Sequence, residues 1–259
     1  MREIRSHGSE GGEVGQPAFP TPILVIGLPR PIQRADRLRR CIAGHADCKP
    51  VHLVIDGFLR HGALGMTAGP QRDRIPPDTV LLSARCRYRA VREDDVEHSW
   101  TATRHPGFND GMAWDAPACI DELRGRGEAL AARWRADEEY TWSIETEPTR
   151  AFVGRIAIRR TREPEVWDIG FWIHPRQWGR GYAREAAARL LAFGFESLDA
   201  ACITAAAATW NEPSWRVLDA IGMRRVRLNP QGFCKQGRWV EEAEYALDRS
   251  GWQPSGAGS

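Results

Sequence analysis

The chain has 259 residues, a hydrophobic fraction of 42% and a formal net charge of +2. That length holds one large domain, or a domain with an appendage, and the composition is that of a soluble globular protein. A charge so close to neutral gives no polyelectrolyte reason for direct nucleic-acid binding. No apolar run approaches the roughly 20 residues of a membrane span, and the start, MREIRSHGSEGGEVG, has no apolar core of a signal peptide. Cys41, Cys48, Cys86, Cys119, Cys202 and Cys234 form no CxxC pair and no zinc spacing, and the histidines lack HExxH-type spacing. Reduced thiols, a cytoplasmic location, no metal and no membrane contact are therefore expected.

Residues 1–22 are rich in Gly, Pro and Glu and read as disordered. Short strands are expected at 23–26 and 51–55, with a helix at 34–42 between them. Residues 62–78 are rich in Gly, Pro and charge and read as a linker. Residues 1–77 thus form an N-terminal extension, 78–250 a folded domain, and 251–259 a flexible tail. Met66 could serve as the start of translation.

From Val80 the pattern is regular. A strand is expected over 80–89, then a helix start at 92–96 with acidic residues in its first turn. A helix is expected over 117–137, with Pro117 at its beginning and Gly125 and Gly127 weakening its middle. Residues 140–145 and 152–159 alternate like antiparallel neighbours. The next strand, 166–173, runs into Arg176-Gln177-Trp178-Gly179-Arg180-Gly181-Tyr182-Ala183. Ala183, Ala187, Leu190, Leu191, Gly194, Phe195 and Leu198 then recur at helical spacing. An alanine-rich strand at 201–209, a helix at 213–221 stopped by Gly222, and strands at 223–228 and 240–247 complete the order.

The loop after the 166–173 strand carries the chemistry. A glycine-bearing loop at a helix start presents unpaired backbone N–H groups, and these bind phosphate oxygens with help from the helix dipole. Gly179 and Gly181 let the backbone approach a pyrophosphate, and Arg176 and Arg180 add charge. No Gly-Lys-Ser/Thr follows, so this is not a Walker A loop. It also lacks the third glycine and later acidic residue of a dinucleotide fingerprint. By itself, the glycine pair also fits an ordinary strand-loop-helix turn.

The flanking landmarks make the loop more specific. Arg85 to Asp95, Asp168-Ile169-Gly170-Phe171-Trp172, the loop itself, Asn211-x-x-Ser214 and Leu218-x-x-x-Gly222-Met223 come in order. Over Val80 to about Asp248 the chain resembles the GNAT acetyltransferase superfamily, in the branch that includes ribosomal-protein N-terminal acetyltransferases. The resemblance implies an α/β acyl-CoA N-acyltransferase fold: a mixed central sheet with splayed central strands, flanked by helices. It implies acetyl-CoA as cosubstrate. The pantetheine arm would lie against backbone groups of Phe171, Trp172 and Ile173. Arg176, Trp178, Gly179, Arg180, Gly181, Tyr182 and Ala183 would hold the phosphates. Asn211 would bond the pantetheine arm or simply cap its helix, and Ser214 would protonate the departing thiolate or belong to the same cap.

The family's usual tyrosine beyond the asparagine has no counterpart in 215–220. Asp168 is the leading carboxylate, either a general base for the acceptor amine or a cross-strand partner of Arg155 or Arg159. Glu244 is a weaker base candidate, and His174 reads as a loop residue. Residues 99–114 are expected to shape the acceptor mouth. The expected activity is direct transfer of acetyl from acetyl-CoA to a primary amine, a protein N-terminus or a small molecule, by a monomer or homodimer. The alternative is a non-catalytic acyl-CoA sensor.

Overall fold

The structure, a computed structural model, describes residues 74–254. The strands and helix expected before residue 74, and Met66, lie outside the described residues. The first strands are β1 (Leu81–Leu82) and β2 (Cys86–Ala90), followed by α1 (Asp95–Thr103) and α2 (Arg126–Arg135). Next come β3 (Glu139–Thr146), β4 (Phe152–Arg160), β5 (Val166–Ile173) and α3 (Tyr182–Glu196). The chain closes with β6 (Cys202–Ala208), α4 (Glu212–Ala220), β7 (Arg224–Lys235) and β8 (Arg238–Asp248). The strands form one sheet in the order β1-β2-β3-β4-β5-β6-β8-β7. Among the described strands, only β5 and β6 pair in parallel, joined by α3.

Period-two alternation decides what each face carries. On one face, Tyr140, Trp142, Ile158, Trp167, Ile169 and Phe171 pack with Trp134 of α2, Leu190 and Phe193 of α3, and Leu218 of α4. Trp142 stands 4.8 Å from Trp134 and 5.0 Å from Phe193, centroid to centroid. Each such burial contributes on the order of 1.5–3 kcal/mol. On the opposite face a smaller cluster joins Ala102 of α1, Phe108, Met112, Phe152 and Trp172.

Several boundaries differ from expectation. The strand expected over 80–89 is a hairpin of β1 and β2, turned at Ser83, whose N–H donates to the Cys86 carbonyl at 2.9 Å. The helix expected over 117–137 breaks into a 3-10 turn at Ile120–Leu123 and α2, because Gly125 takes a left-handed φ of 72°. The strand expected over 223–228 continues to Lys235 as the mostly exposed edge strand β7. Chain docked on the domain also extends past both expected ends. Before residue 78, the Ile75 carbonyl accepts from Trp134 Nε1 at 2.9 Å. Trp252 packs on Phe195 at 5.2 Å, within the expected tail.

Between α1 and the sheet sits a buried ionic group. Arg89 grips Asp95 with both terminal nitrogens at 2.8 Å and Glu145 with Nε at 2.5 Å. Asp95 also accepts from Ser143 Oγ at 2.7 Å and from the Arg92 N–H at 2.8 Å. Burial alone would raise the Asp95 carboxyl, but these donors hold it below its usual value. Breaking one member of such a group leaves a buried charge uncompensated. Asp95→Asn is therefore expected to cost about 3–5 kcal/mol, read as a lowered urea midpoint, whereas a loss below about 1 kcal/mol would count against this anchoring of α1.

Candidate active site

The parallel pairing of β5 with β6 covers only Val166–Cys202, Trp167–Ile203 and Asp168–Thr204. Beyond Asp168 no bridge between the two strands continues. On the other side of β5 the His174 N–H donates to the Val153 carbonyl at 2.7 Å. Antiparallel ladders alternate bonded and non-bonded pairs. The backbone groups of Trp172 therefore face β4, and those of Phe171 and Ile173 face the gap toward β6. This corrects the expectation for Trp172, whose indole instead lies on the α1 face of the sheet. The same alternation, anchored by Thr209 N–H to the Glu241 carbonyl at 3.0 Å, turns Ala206 and Ala208 toward the gap. The gap is thus a slot with hydrogen-bonding backbone on both walls. A backbone pairing surface of this kind fits the amides of a pantetheine arm.

The slot ends at the loop. Gly179 and Gly181 take φ values of 72° and 78°, which an L side chain adopts only with strain. The turn they form opens α3, whose first-turn N–H groups have no intrahelical acceptor. Arg176, Gly179, Arg180 and Gly181 are exposed, Tyr182 is half-buried and Ala183 is buried. This is a workable phosphate cradle. The Trp178 Nε1 donates to the Ile173 carbonyl at 2.7 Å and ties the loop back onto β5. Of Ile173's gap-facing groups, that leaves the N–H.

A long-range clamp fixes the loop from outside. Glu185, in the first turn of α3, accepts from Ser83 Oγ at 2.6 Å, from the Arg85 N–H at 2.8 Å and from Arg85 Nε at 2.7 Å. Arg85 Nη1 donates to the Arg180 carbonyl at 2.9 Å, and its guanidinium lies 4.7 Å from the Tyr182 ring centroid. Burial would raise the Glu185 carboxyl, but the Ser83 and Arg85 donors hold it below its usual value. Its negative charge, in the first turn of α3, is thereby balanced by Arg85.

His174 links the end of β5 to α1. Its Nδ1 accepts from the Arg176 N–H at 3.2 Å, so Nε2 carries the proton toward Thr101 Oγ1 at 3.1 Å. Burial first, then Arg176, His98 and His105, lower its pKa to about 4. It is a neutral connector with both nitrogens engaged.

The remaining candidates separate clearly. Asp168 lies 3.8 Å from Arg159 Nη1 and accepts from Thr204 Oγ1 at 3.1 Å. Of the two arginines expected opposite it, Arg159 is the partner. Glu244 is buried and bound by Arg227 Nη2 at 2.8 Å, Arg227 Nε at 3.1 Å and Asn229 Nδ2 at 3.2 Å. Asn211 and Ser214 are buried at the start of α4, where Asn211 Oδ1 accepts from the Ser214 N–H at 3.3 Å. On the α1 face, Phe108, Met112 and Trp114 close over Trp172. Lys235 Nζ donates to the carbonyls of Asn109 and Met112 and pins that segment to β7. The Arg85–Glu185 clamp and the position of Arg155 have no local sequence signal.

A sheet that splays beside a glycine loop at a helix start defines an acyl-CoA-dependent N-acyltransferase fold. The family description for the acetyltransferase (GNAT) domain matches residues 85–224, and the chain belongs to that family as an N-acetyltransferase. It is 32% identical over 125 residues to the uncharacterized N-acetyltransferase YnaD of Bacillus subtilis (strain 168), spanning 48% of this chain and 74% of that one. Among solved structures, RimJ of Mycobacterium smegmatis, in complex with CoA-disulfide, superposes with a TM-score of 0.57 at 23% identity, over 67% of this chain and 88% of that one. Spermidine N-acetyltransferase of Vibrio cholerae, with CoA and spermine, gives 0.57 at 16% identity, over 65% and 98%. At those identities the two structures bear on the fold alone.

Two outcomes are expected here. Gly181→Glu adds a strained side chain and a negative charge at the cradle. It should weaken acetyl-CoA binding in calorimetry by roughly tenfold or more, about 1.4 kcal/mol, with an unchanged far-ultraviolet spectrum; unchanged affinity would remove the loop from the binding site. His174 has a folded pKa of about 4, below the ordinary value near 6.5. Its contribution is complete above pH 6.5 and is lost as the pH falls toward 4, where the unfolded chain takes up the proton first. The melting-temperature advantage of the unaltered protein over His174→Asn should therefore shrink from pH 7.5 to pH 4. A constant difference would mean that His174 does not titrate this way.

Proposed function

We propose that this chain transfers acetyl directly from acetyl-CoA to a primary amine with both substrates bound together. The observation that carries this is the slot between β5 and β6, walled by backbone groups of Phe171, Ile173, Ala206 and Ala208, running into the Gly179–Gly181 cradle. Arg176 and Arg180 supply charge at the cradle. Acetyl-CoA would supply a thioester carbonyl activated toward amines. The amine lone pair forms the C–N bond, the C–S bond breaks with its electrons on sulfur, and one ammonium proton passes to the thiolate.

Positioning provides most of the rate in this reading. An α-amine with a pKa near 8 is already partly neutral at physiological pH, and a thiolate leaves readily. Asp168 is held by Arg159 and Thr204 and assists by orientation. Ser214 donates to the departing sulfur. Asn211 fixes the start of α4 for that purpose and borders the pantetheine arm. The free thiols Cys86, Cys119, Cys202 and Cys234 suit a cytoplasmic setting.

The test is acetyl transfer to a panel of amines and peptides, followed by mass. Acetyl-CoA binding without any acetylated amine would favour a binding module instead. Given an acceptor, Asp168→Asn should lower kcat/KM by less than about tenfold, because a true general base is worth ~10²–10⁴-fold. Ser214→Ala should lower kcat without raising the KM for acetyl-CoA. A hundredfold loss in Asp168→Asn, steepest at low pH, would make Asp168 the base.

A further inference from the structure

Arg155 sits in the middle of β4, in register with Ser143 of β3 and Trp172 of β5. Alternation puts it on the α1 face, one strand, about 5 Å, from the strand that walls the slot. Its Nε is buried and has no acceptor among the described residues. Its one close partner there is the Trp172 ring, with the guanidinium 5.9 Å from the centroid.

The carboxylates within reach are already committed. Asp95 is taken by Arg89, Ser143 and the Arg92 N–H, and Glu145 by Arg89 Nε. A second cation approaches from α2: Arg126 lies 5.9 Å from the Trp114 ring centroid. Trp114 and Trp172 both meet Phe108 edge-on, at 6.4 Å and 5.6 Å. Burial pulls the Arg155 pKa down to about 10; Asp95 opposes that shift, while Arg126 and Arg89 add to it. A half-buried arginine whose buried Nε has no acceptor among the described residues costs stability, and retaining one a single strand from the slot is the pattern of a ligand site.

Resting on the acetyl-transfer reading above, we infer that Arg155, flanked by the Phe108, Trp114 and Trp172 rings, binds an anionic group of the acceptor, so that the preferred substrate is an amine bearing a carboxylate or phosphate. A guanidinium fork suits either oxyanion. The aromatic rings would carry the short chain between that anion and the amine.

Matched acceptor pairs test this: β-alanine against β-alaninamide, and phosphoethanolamine against ethanolamine. The unaltered protein should favour the anionic member of at least one pair by roughly tenfold in kcat/KM, about 1.4 kcal/mol, and the favoured pair identifies the oxyanion. Arg155→Met should abolish that preference by raising KM for the anionic member. The KM for acetyl-CoA and the rate with the neutral member should not change. Arg155→Lys should restore part of the preference. Equal use of both members by the unaltered protein, or a preference that survives in Arg155→Met, overturns the inference. If no amine is acetylated, calorimetry of the CoA-loaded protein with N-acetyl-β-alanine and its amide decides separately. Tighter binding of the acid that disappears in Arg155→Met supports the site although acetyl transfer has failed, and equal binding rejects it.

Discussion

Backbone N–H and C=O groups inside a sheet must find partners, and the partial pairing of β5 with β6 leaves a row of them facing each other with no bond across the gap, the Ile173 carbonyl alone being taken by Trp178. The fold is organised around keeping that gap open. On one side β5 is stitched to β4 along its whole length, and on the other β6 is stitched to β8 from Cys202 to Ala208. Neither strand can swing across without breaking an established ladder. The core of Tyr140, Trp142, Trp167 and Phe193 presses α2 and α3 onto the sheet behind the gap and makes the two walls rigid. An open, rigid slot of this kind is favourable for a ligand that brings its own amides.

Much of this was readable from residue pattern. β3 and β4 alternate because one face meets a thick aromatic and aliphatic core, and β6 stands out as a short alanine-rich run buried at every position. α3 announces itself through the glycine loop and a continuous apolar stripe. What escaped were features without a local period. β7 is a mostly exposed edge strand interrupted by Pro230 and Gly232, with register shifts at Arg225/Arg227 and Asn229/Phe233, so its residues look like a loop. The break at Gly125 turns on a single left-handed residue. The first strand read as one run because its turn at Ser83 is stabilised by partners about a hundred residues away.

The site was legible to the same extent. Gly179 and Gly181 take the backbone conformations that their type implies. The roles of the polar side chains depend on register, which spacing alone does not give. Asp168 lies beside Arg159 because β4 and β5 pair at that position. Trp172 turns its backbone away from the gap for the same reason. Trp178, read as a ligand contact, bonds the Ile173 carbonyl that closes β5.

The Arg85–Glu185 clamp carries a consequence for energetics across the domain. One arginine of the β1–β2 hairpin holds both the first turn of α3 and the Arg180 carbonyl of the loop. Ordering of the loop and docking of the hairpin therefore share a free energy, and linkage makes the effect reciprocal. A ligand that settles into the cradle would therefore slow hydrogen exchange at the amides of Arg87 and Tyr88, far along the chain from the loop. The same coupling makes the edge of the sheet a reporter of occupancy: fraying at β1 loosens the cradle, and a filled cradle protects the edge.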